Sequence, residues 1–418
     1  MQRIRGKYGW GLIALCMAGP VAAQGPLDPG SGPMETMKSL DQIEPRTPIA
    51  ELPFTITESG SYVVTGNLTS ASDGIVVAAE GVTIDLAGHT LSGTGGNDTG
   101  IIADLRSMVV VRNGVIEGFE LGIRAVNGRF GRYERLTVRD NSASGIVLTG
   151  WGGGANGNVI EYTSVVGNGL VGVFIGAVDE GHARGNMVLN SSIMNNQRNG
   201  IRLLGDNGRV SGTIIRDCII AGSTDFSAVD LLSENSGVVN GNIISGCQIV
   251  DNAHSGLRVL AFGADTQATG NSIENNKIMR NGNQIPALSV QGLSGGQANG
   301  NKLVGNRVAD NGSHGIYVNS STGGTARGNV IRDSYVSHHL AGDGIRLFGD
   351  TEGTRVENNT VMGHLMGYRI GSTSAFVFQN VSLANMESFS AGVGNLVAPE
   401  IDSPGMQTNP NAWANVSR

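Results

Sequence analysis

Residues 242–328 read NIISGCQIVDNAHSGLRVLAFGADTQATG (242–270), NSIENNKIMRNGNQIPALSVQGLSGGQANG (271–300) and NKLVGNRVADNGSHGIYVNSSTGGTARG (301–328). The three lines align almost residue for residue. Each opens on Asn, carries an aliphatic residue two positions on and another at the seventh step, has Asn at the tenth, then a short apolar run and a Gly-rich tail. Landmarks kept at a period near 30 mean one structural unit stacked on copies of itself. Within each line apolar residues alternate instead of recurring every three or four positions, so the unit is built of strands. Because a strand returns to the same height once per period, Asn271 lies between Asn242 below and Asn301 above. The fold expected is all-β, a single parallel β-solenoid with three strands per coil.

Carried outward, the register gives coil starts at Ile84, Val109, Gly131, Asn158, Asn186, Thr213, Asn242, Asn271, Asn301, Asn329, Thr354 and Phe376. About twelve coils at about 4.8 Å each make a rod of about 58 Å. One inward aliphatic column runs from Ile160 to Val356, a second from Val165 to Val361, and a third from Ile146 to Ile345. The Asn rows, 158, 186, 242, 271, 301 and 329 at one turn and 168, 196, 252, 281 and 311 at the next, are expected to bond up and down the stack through their amides. Cys218 and Cys247 share a position in adjacent coils, within the reach of a disulfide. Two readings stay open for them, a bridge or a pair of buried thiols standing where other coils carry Ser and Thr.

The chain opens with Arg3, Arg5 and Lys7, a short apolar run from Gly11 to Ala18, and Val21-Ala22-Ala23. This is the pattern of a signal peptide over 1–23, implying export to the periplasm or beyond. Nothing later is long and apolar enough to span a bilayer. The whole chain has 28 Lys and Arg against 35 Asp and Glu; without the three leader cations the net charge is -10. A nucleic-acid partner is excluded on that balance. Charged residues make up 15% against a usual value of about 25%, a composition suited to tight turns and stacked polar side chains. Residues 24–59, rich in Pro, read as an extended leader and cap, 60–397 as the solenoid, and 398–418, where the alternation stops, as a tail.

KSLDQIEPRTPI (38–49), then LPFTITESGSYVVTGNLT (52–69), then repeated Gly-Ile and Gly-Asn punctuation resemble the secreted right-handed parallel β-helix repeat proteins of the pectin-lyase-like group. The resemblance spans roughly 38–397. It implies a right-handed coil and a carbohydrate-directed protein, and it is silent on the reaction, since that group holds lyases, hydrolases, epimerases and proteins with no assigned chemistry.

Chemistry must then sit on outward columns. On the third strand the outward position reads Arg124, Val147, Phe174, Arg202, Asp230, Arg258, Ser289, Tyr317, Arg346, Arg369 from coil to coil. Arg202, Asp230 and Arg258 are the candidate catalytic residues, because arginines flanking a uronate carboxylate neutralise it and acidify the adjacent C–H, as β-elimination requires. Asp206, Glu234, Tyr317 and Arg346 are the candidate substrate contacts. Charge compensation up a column produces the same Arg, Asp, Arg order without any activity. His339 and His364, with His338, His314 and Asp343 nearby in the alignment, either hold a metal ion or prolong the Asn turn ladder; no metal is assigned. Gly292-Leu293-Ser294-Gly295-Gly296 matches the nucleophile-elbow pattern but lacks a strand-turn-helix context. Ser313-His314-Gly315 is similar to the Gly-His-Gly of polygalacturonases without its first Gly. The Asp-Pro-His-Glu of mannuronan epimerases is missing.

Two functions follow from the residues alone. One is an exported enzyme acting on an acidic polysaccharide by lyase-type chemistry. The other is a non-catalytic solenoid that binds a glycan or protein or serves as a spacer. Aromatic residues at 5% weigh toward the second, because sugar rings stack on aromatic faces.

Overall fold

The computed structural model describes residues 46–282, 285–339, 341–372, 374–402 and 413–417. The expected signal peptide, and the leader as far as residue 45, lie outside the described residues. From Arg46 onward the chain forms short parallel strands, with no helix among the described residues.

Each turn of the chain lays down a first strand, a second strand and a longer third strand, and each pairs in register with its counterpart one turn away. We call this step a rung. Ile243–Ser245 pairs with Ser272–Glu274, and those with Lys302–Val304, so Asn242, Asn271 and Asn301 stand in one column. The third strands form a 14-stranded sheet from Phe54–Ile56 to Glu387–Ala391. In Val110–Glu117 and Arg132–Arg139 the first and second strands run together as one, which joins those two faces into a single sheet.

All three inward columns are fully buried, from Ile160, Val165 and Ile146 through to Val356, Val361 and Ile345. Burying each such side chain is worth about 1.5–3 kcal/mol relative to leaving it exposed. The Gly-rich tail holds a surprise. In five successive coils it pairs as a short fourth strand, Gly154–Asn156, His182–Arg184, Arg209–Ser211, Val238–Asn240 and Gln267–Thr269. Ala155, Ala183, Val210, Val239 and Ala268 make a fourth buried column there. The tail approaches the end of the third strand so closely that a Cβ at Gly205 would lie 2.8 Å from the Val238 carbonyl oxygen.

The turns use left-handed residues before each ladder position: Asn195, Asp251, Arg280, Asp310 and His338 have φ between 51° and 57°. Asn, Asp or Gly suit this conformation because other side chains strain in it. The residue that follows then stacks. Asn242 Nδ2 donates to Asn271 Oδ1 (2.9 Å) and Asn271 Nδ2 to Asn301 Oδ1 (3.0 Å), while Asn252, Asn281 and Asn311 chain in the same way at 2.8 and 3.1 Å. Past the end of the alternation, Asn415–Ser417 still pairs with Val381–Leu383, because Asn415 accepts from Asn380 Nδ2 (3.2 Å) and continues a third ladder, that of Asn276, Asn306, Ser334 and Asn359. At the other end Thr47–Ile49 pairs with Tyr62–Val64.

Candidate functional site

The third strand presents one outward residue per rung in its centre, and the ten positions from Arg124 to Arg369 are consecutive partners in the sheet. Arg202, Asp230 and Arg258 are therefore direct neighbours. They do not share charge evenly. Arg258 donates from Nε to Asp230 Oδ1 (2.8 Å) and from Nη2 to Oδ2 (2.9 Å), a two-pronged bond that takes both carboxylate oxygens. Asp230 is only 1% exposed. Burial by itself would lower the pKa of Arg258; Asp230 in contact and Glu234 nearby reverse this and hold it above its ordinary value. Arg202 is left out of the pair, and its Nε is buried without a hydrogen-bond partner.

Asp206 and Glu234 are partners at the far end of the same strands, four residues along, where Asn235 Nδ2 donates to Asp206 Oδ1 (2.8 Å). Exposed Trp151 precedes them in that column. Between the two columns lies a strip that the alternation concealed. Leu204, Leu232 and Leu260 point outward yet are nearly buried, packed with Phe174 and Leu293. The signal was present in IRLLGD and VDLLSE, where two apolar residues in succession break the alternation and place one on each face. Beside Arg258 a depression is lined by Asp225, Phe226, His254, Ser255, Ser289 and Gln291.

Further along the face, the structure regroups the histidines. His314 and Asp343 do not join the His339 and His364 column; they meet Tyr317, Arg346 and Arg369. The His314 ring stacks on Tyr317 with centroids 5.4 Å apart. Asp343 Oδ2 lies 3.4 Å from Arg369 Nε, 3.6 Å from His314 Nδ1 and 3.7 Å from Arg346 Nη1. The ring fits there because residue 342 is Gly: a Cβ at that position would lie 2.6 Å from His314 Nδ1. Burial lowers the His314 pKa, Asp343 opposes that shift, and Arg346 and Arg369 add to it.

His339 and His364 take the second of the two places weighed for them. Their rings lie 4.9 Å apart, tilted by 35°, inside the turn ladder, and Asn311 N–H donates to His339 Nδ1 (3.2 Å) as it would to an Asn oxygen. Both are buried, which pushes the pKa of His339 down to about 3 and that of His364 to about 4. Among the described residues no cluster of three or more His, Cys, Asp or Glu is arranged to hold a metal ion. Cys218 and Cys247 are free, buried thiols, so the bridge left open by the sequence is not formed.

The family model described as right handed beta helix region matches residues 176–385. No curated protein matches the chain by sequence. Among solved structures, the A-module of mannuronan C-5 epimerase AlgE6 from Azotobacter vinelandii is similar over 80% of this chain and 89% of that one, at 16% identity and a TM-score of 0.56. A variant of the periplasmic alginate epimerase AlgG (74% and 77% covered, 10% identity, TM-score 0.37) and the catalytic domain of a GH87 alpha-1,3-glucanase (83% and 64%, 14%, 0.44) are more distant. At these identities the likeness speaks for the fold.

Proposed function

Because the chain belongs to the right-handed β-helix family, we propose that it is an exported carbohydrate-active protein whose third face binds an acidic, uronate-containing polysaccharide and acts on it by lyase-type chemistry. One observation carries this reading. In a chain of net charge -7, the central outward column carries five guanidinium groups, Arg124, Arg202, Arg258, Arg346 and Arg369, and one carboxylate, Asp230, with Asp104 beside Arg124 and Asp343 beside Arg346 and Arg369 as the flanking acids. Such a cationic track suits a polymer with a carboxylate on its sugar rings.

The residues divide the work. Asp230, sealed and fully bonded, positions Arg258. Arg258 and the unpaired Arg202 receive a uronate carboxylate, and neutralising it makes the neighbouring C–H more acidic. Solvent water takes that proton, the glycosidic C–O bond at the adjacent carbon breaks, the leaving oxygen picks up a proton from solvent, and an unsaturated sugar remains. Tyr317 and Arg346 contact the polymer two and three rungs along, and Asp206 and Glu234 line the rim. The N-terminal leader supports a periplasmic or extracellular site of action on a polysaccharide or cell-surface glycan.

A second reading, a non-catalytic glycan-binding solenoid, is favoured by the burial of Asp230 and Asp343, since neither of these carboxylates is open to take a proton. Incubation with alginate, pectate and hyaluronan, following absorbance of the unsaturated product, separates the two. The lyase reading expects product from at least one, reduced by about a hundredfold or more in Arg258→Ala. Absence of product from all of them with glycan affinity retained leaves the binder.

A further inference from the structure

On the third face several donors converge beside a single acceptor, the Asp343 carboxylate. The backbone N–H of Asp343 lies 2.8 Å from His314 Nδ1. A backbone N–H only donates, so Nδ1 accepts and the proton of the neutral ring sits on Nε2. Nε2 in turn faces Arg346 Nη1 at 3.2 Å, and a guanidinium only donates. Two N–H groups therefore confront each other at hydrogen-bond distance. Turning the ring over sets a C–H against the Asp343 N–H and sacrifices the 2.8 Å bond.

The neighbours do not resolve the conflict. Asp343 Oδ2 is buried and has no hydrogen bond, although three nitrogens stand 3.4–3.7 Å away. Arg346 Nε is also buried without a partner, and Arg369 Nε donates to Met366 Sδ (3.1 Å). With the ring neutral, two cations face one carboxylate. Nor does Arg346 stand free: its guanidinium lies 5.7 Å from the Tyr317 ring centroid and 5.5 Å from that of Phe348, contacts that hold it in place.

We propose that His314 Nε2–H and the Arg346 guanidinium, with Arg369 at the rim, form a cradle for one oxyanion of a sugar substituent, a carboxylate or a sulfate ester, whose oxygen accepts from both donors. The side chains of His314, Arg346 and Arg369 are 18%, 25% and 44% exposed, so a ligand reaches them from solvent. Arg258 lies three rungs away, about 14 Å, so a glycan that engages both carries anionic groups several rings apart. The cradle rests on the acidic-glycan reading only for the identity of the polymer; the oxyanion follows from the donor geometry.

The test uses Arg346→Gln, whose side-chain oxygen can accept from Nε2–H and so ends the conflict while removing the cradle. Thermal melts of the full chain and the variant are compared in sodium sulfate and in sodium chloride of equal ionic strength. Sulfate stabilises folded proteins in general, so the difference between the two proteins is the readout. The wild type gains more from sulfate, and in its histidine-ring NMR spectrum the His314 proton resides on Nε2 and shifts as sulfate is added. Equal sulfate responses, or a neutral ring protonated on Nδ1, overturn the cradle. Affinities for a glucuronate trisaccharide and a sulfated neutral trisaccharide then name the source: the fitting one loses about tenfold to hundredfold in the variant, and no loss for either overturns the proposal. Uronate cleavage without the sulfate difference sinks the cradle and spares the lyase reading; the reverse result does the opposite.

Discussion

Two rungs of one face use the same residue types and reach opposite outcomes. At Asp230 the carboxylate meets one arginine, gives both oxygens to it at 2.8 and 2.9 Å, and is finished. At Asp343 the carboxylate has three cationic or imidazole neighbours at 3.4–3.7 Å and completes a hydrogen bond with none through Oδ2. The difference comes from the order of residues up the column. Arg258 stands directly on Asp230, whereas Asp343 lies three residues before Arg346 on its own strand and is reached only from the side. A column closes when a donor and an acceptor are vertical neighbours, and stays open to a ligand when they are not.

The largest effect follows from removing each carboxylate. Asp230→Ala leaves the largely buried Arg258 without a partner, and breaking such a pair costs about 3–5 kcal/mol. Asp343→Ala loses no side-chain hydrogen bond to Oδ2 and relieves a buried charge, so its cost is at most about 1 kcal/mol. Urea titrations of the two variants measure both, by their midpoints at unchanged slope. Equal losses would abolish the distinction between a closed and an open rung.

The turn ladder shows the same contrast in milder form. Asn281 and Asn311 complete one another, but His339 and His364 interrupt the run before Asn385, with His339 Nε2 and both ring nitrogens of His364 buried without a partner. Burial pushes their pKa values down to about 3 and about 4, against about 6.5 in the unfolded chain. Both are neutral when folded, so the stability tied to them is complete above about 6.5 and is lost as pH falls through about 4 and about 3. Counting one pKa unit for each, well inside those depressions, gives a loss of about 3 kcal/mol near pH 5. Melts of wild type and a His339→Asn, His364→Asn double variant between pH 7 and pH 4 should diverge, the variant falling less. Parallel curves would mean that these rings are as well accommodated as the asparagines below them.

Much of this was legible in the chain. The 28- to 30-residue step set Asn271 on Asn242 and Arg258 on Asp230, because a stacked strand has no other partner than its own copy one turn away. What the period does not contain is lateral reach. His314 sits in the loop before one third strand and Asp343 opens the next, along a path that depends on Gly342 and Gly315, so alignment placed them with His339 while the fold carries them to Arg346. The outward Leu204, Leu232 and Leu260 were hidden for another reason: a strand buried on both faces loses the alternation that reveals which side is which. The fourth column was hidden because Ala155 and Ala183 are too small to register as a strand signal.

Cys218 and Cys247 provide the smallest effect and the control for a closed rung. Their column elsewhere holds Thr163, Ser191, Asn276, Asn306 and Ser334, and each of its three hydroxyls donates to the carbonyl two residues before it, at 3.0, 2.7 and 3.0 Å. Cys218 Sγ approaches the Arg216 carbonyl at 3.2 Å and Cys247 Sγ that of Ser245 at 3.4 Å, the same contact made with a weaker donor. Replacing both by Ser keeps the hydrogen bond and nearly the same volume, so Cys218→Ser with Cys247→Ser should change stability by less than about 1 kcal/mol. A larger loss, measured by the same urea midpoints under reducing conditions, would show that this position depends on the size of sulfur. The ladder would then be a matter of packing before it is one of hydrogen bonds, and the closed rung at Asp230 would have to be reread in the same light.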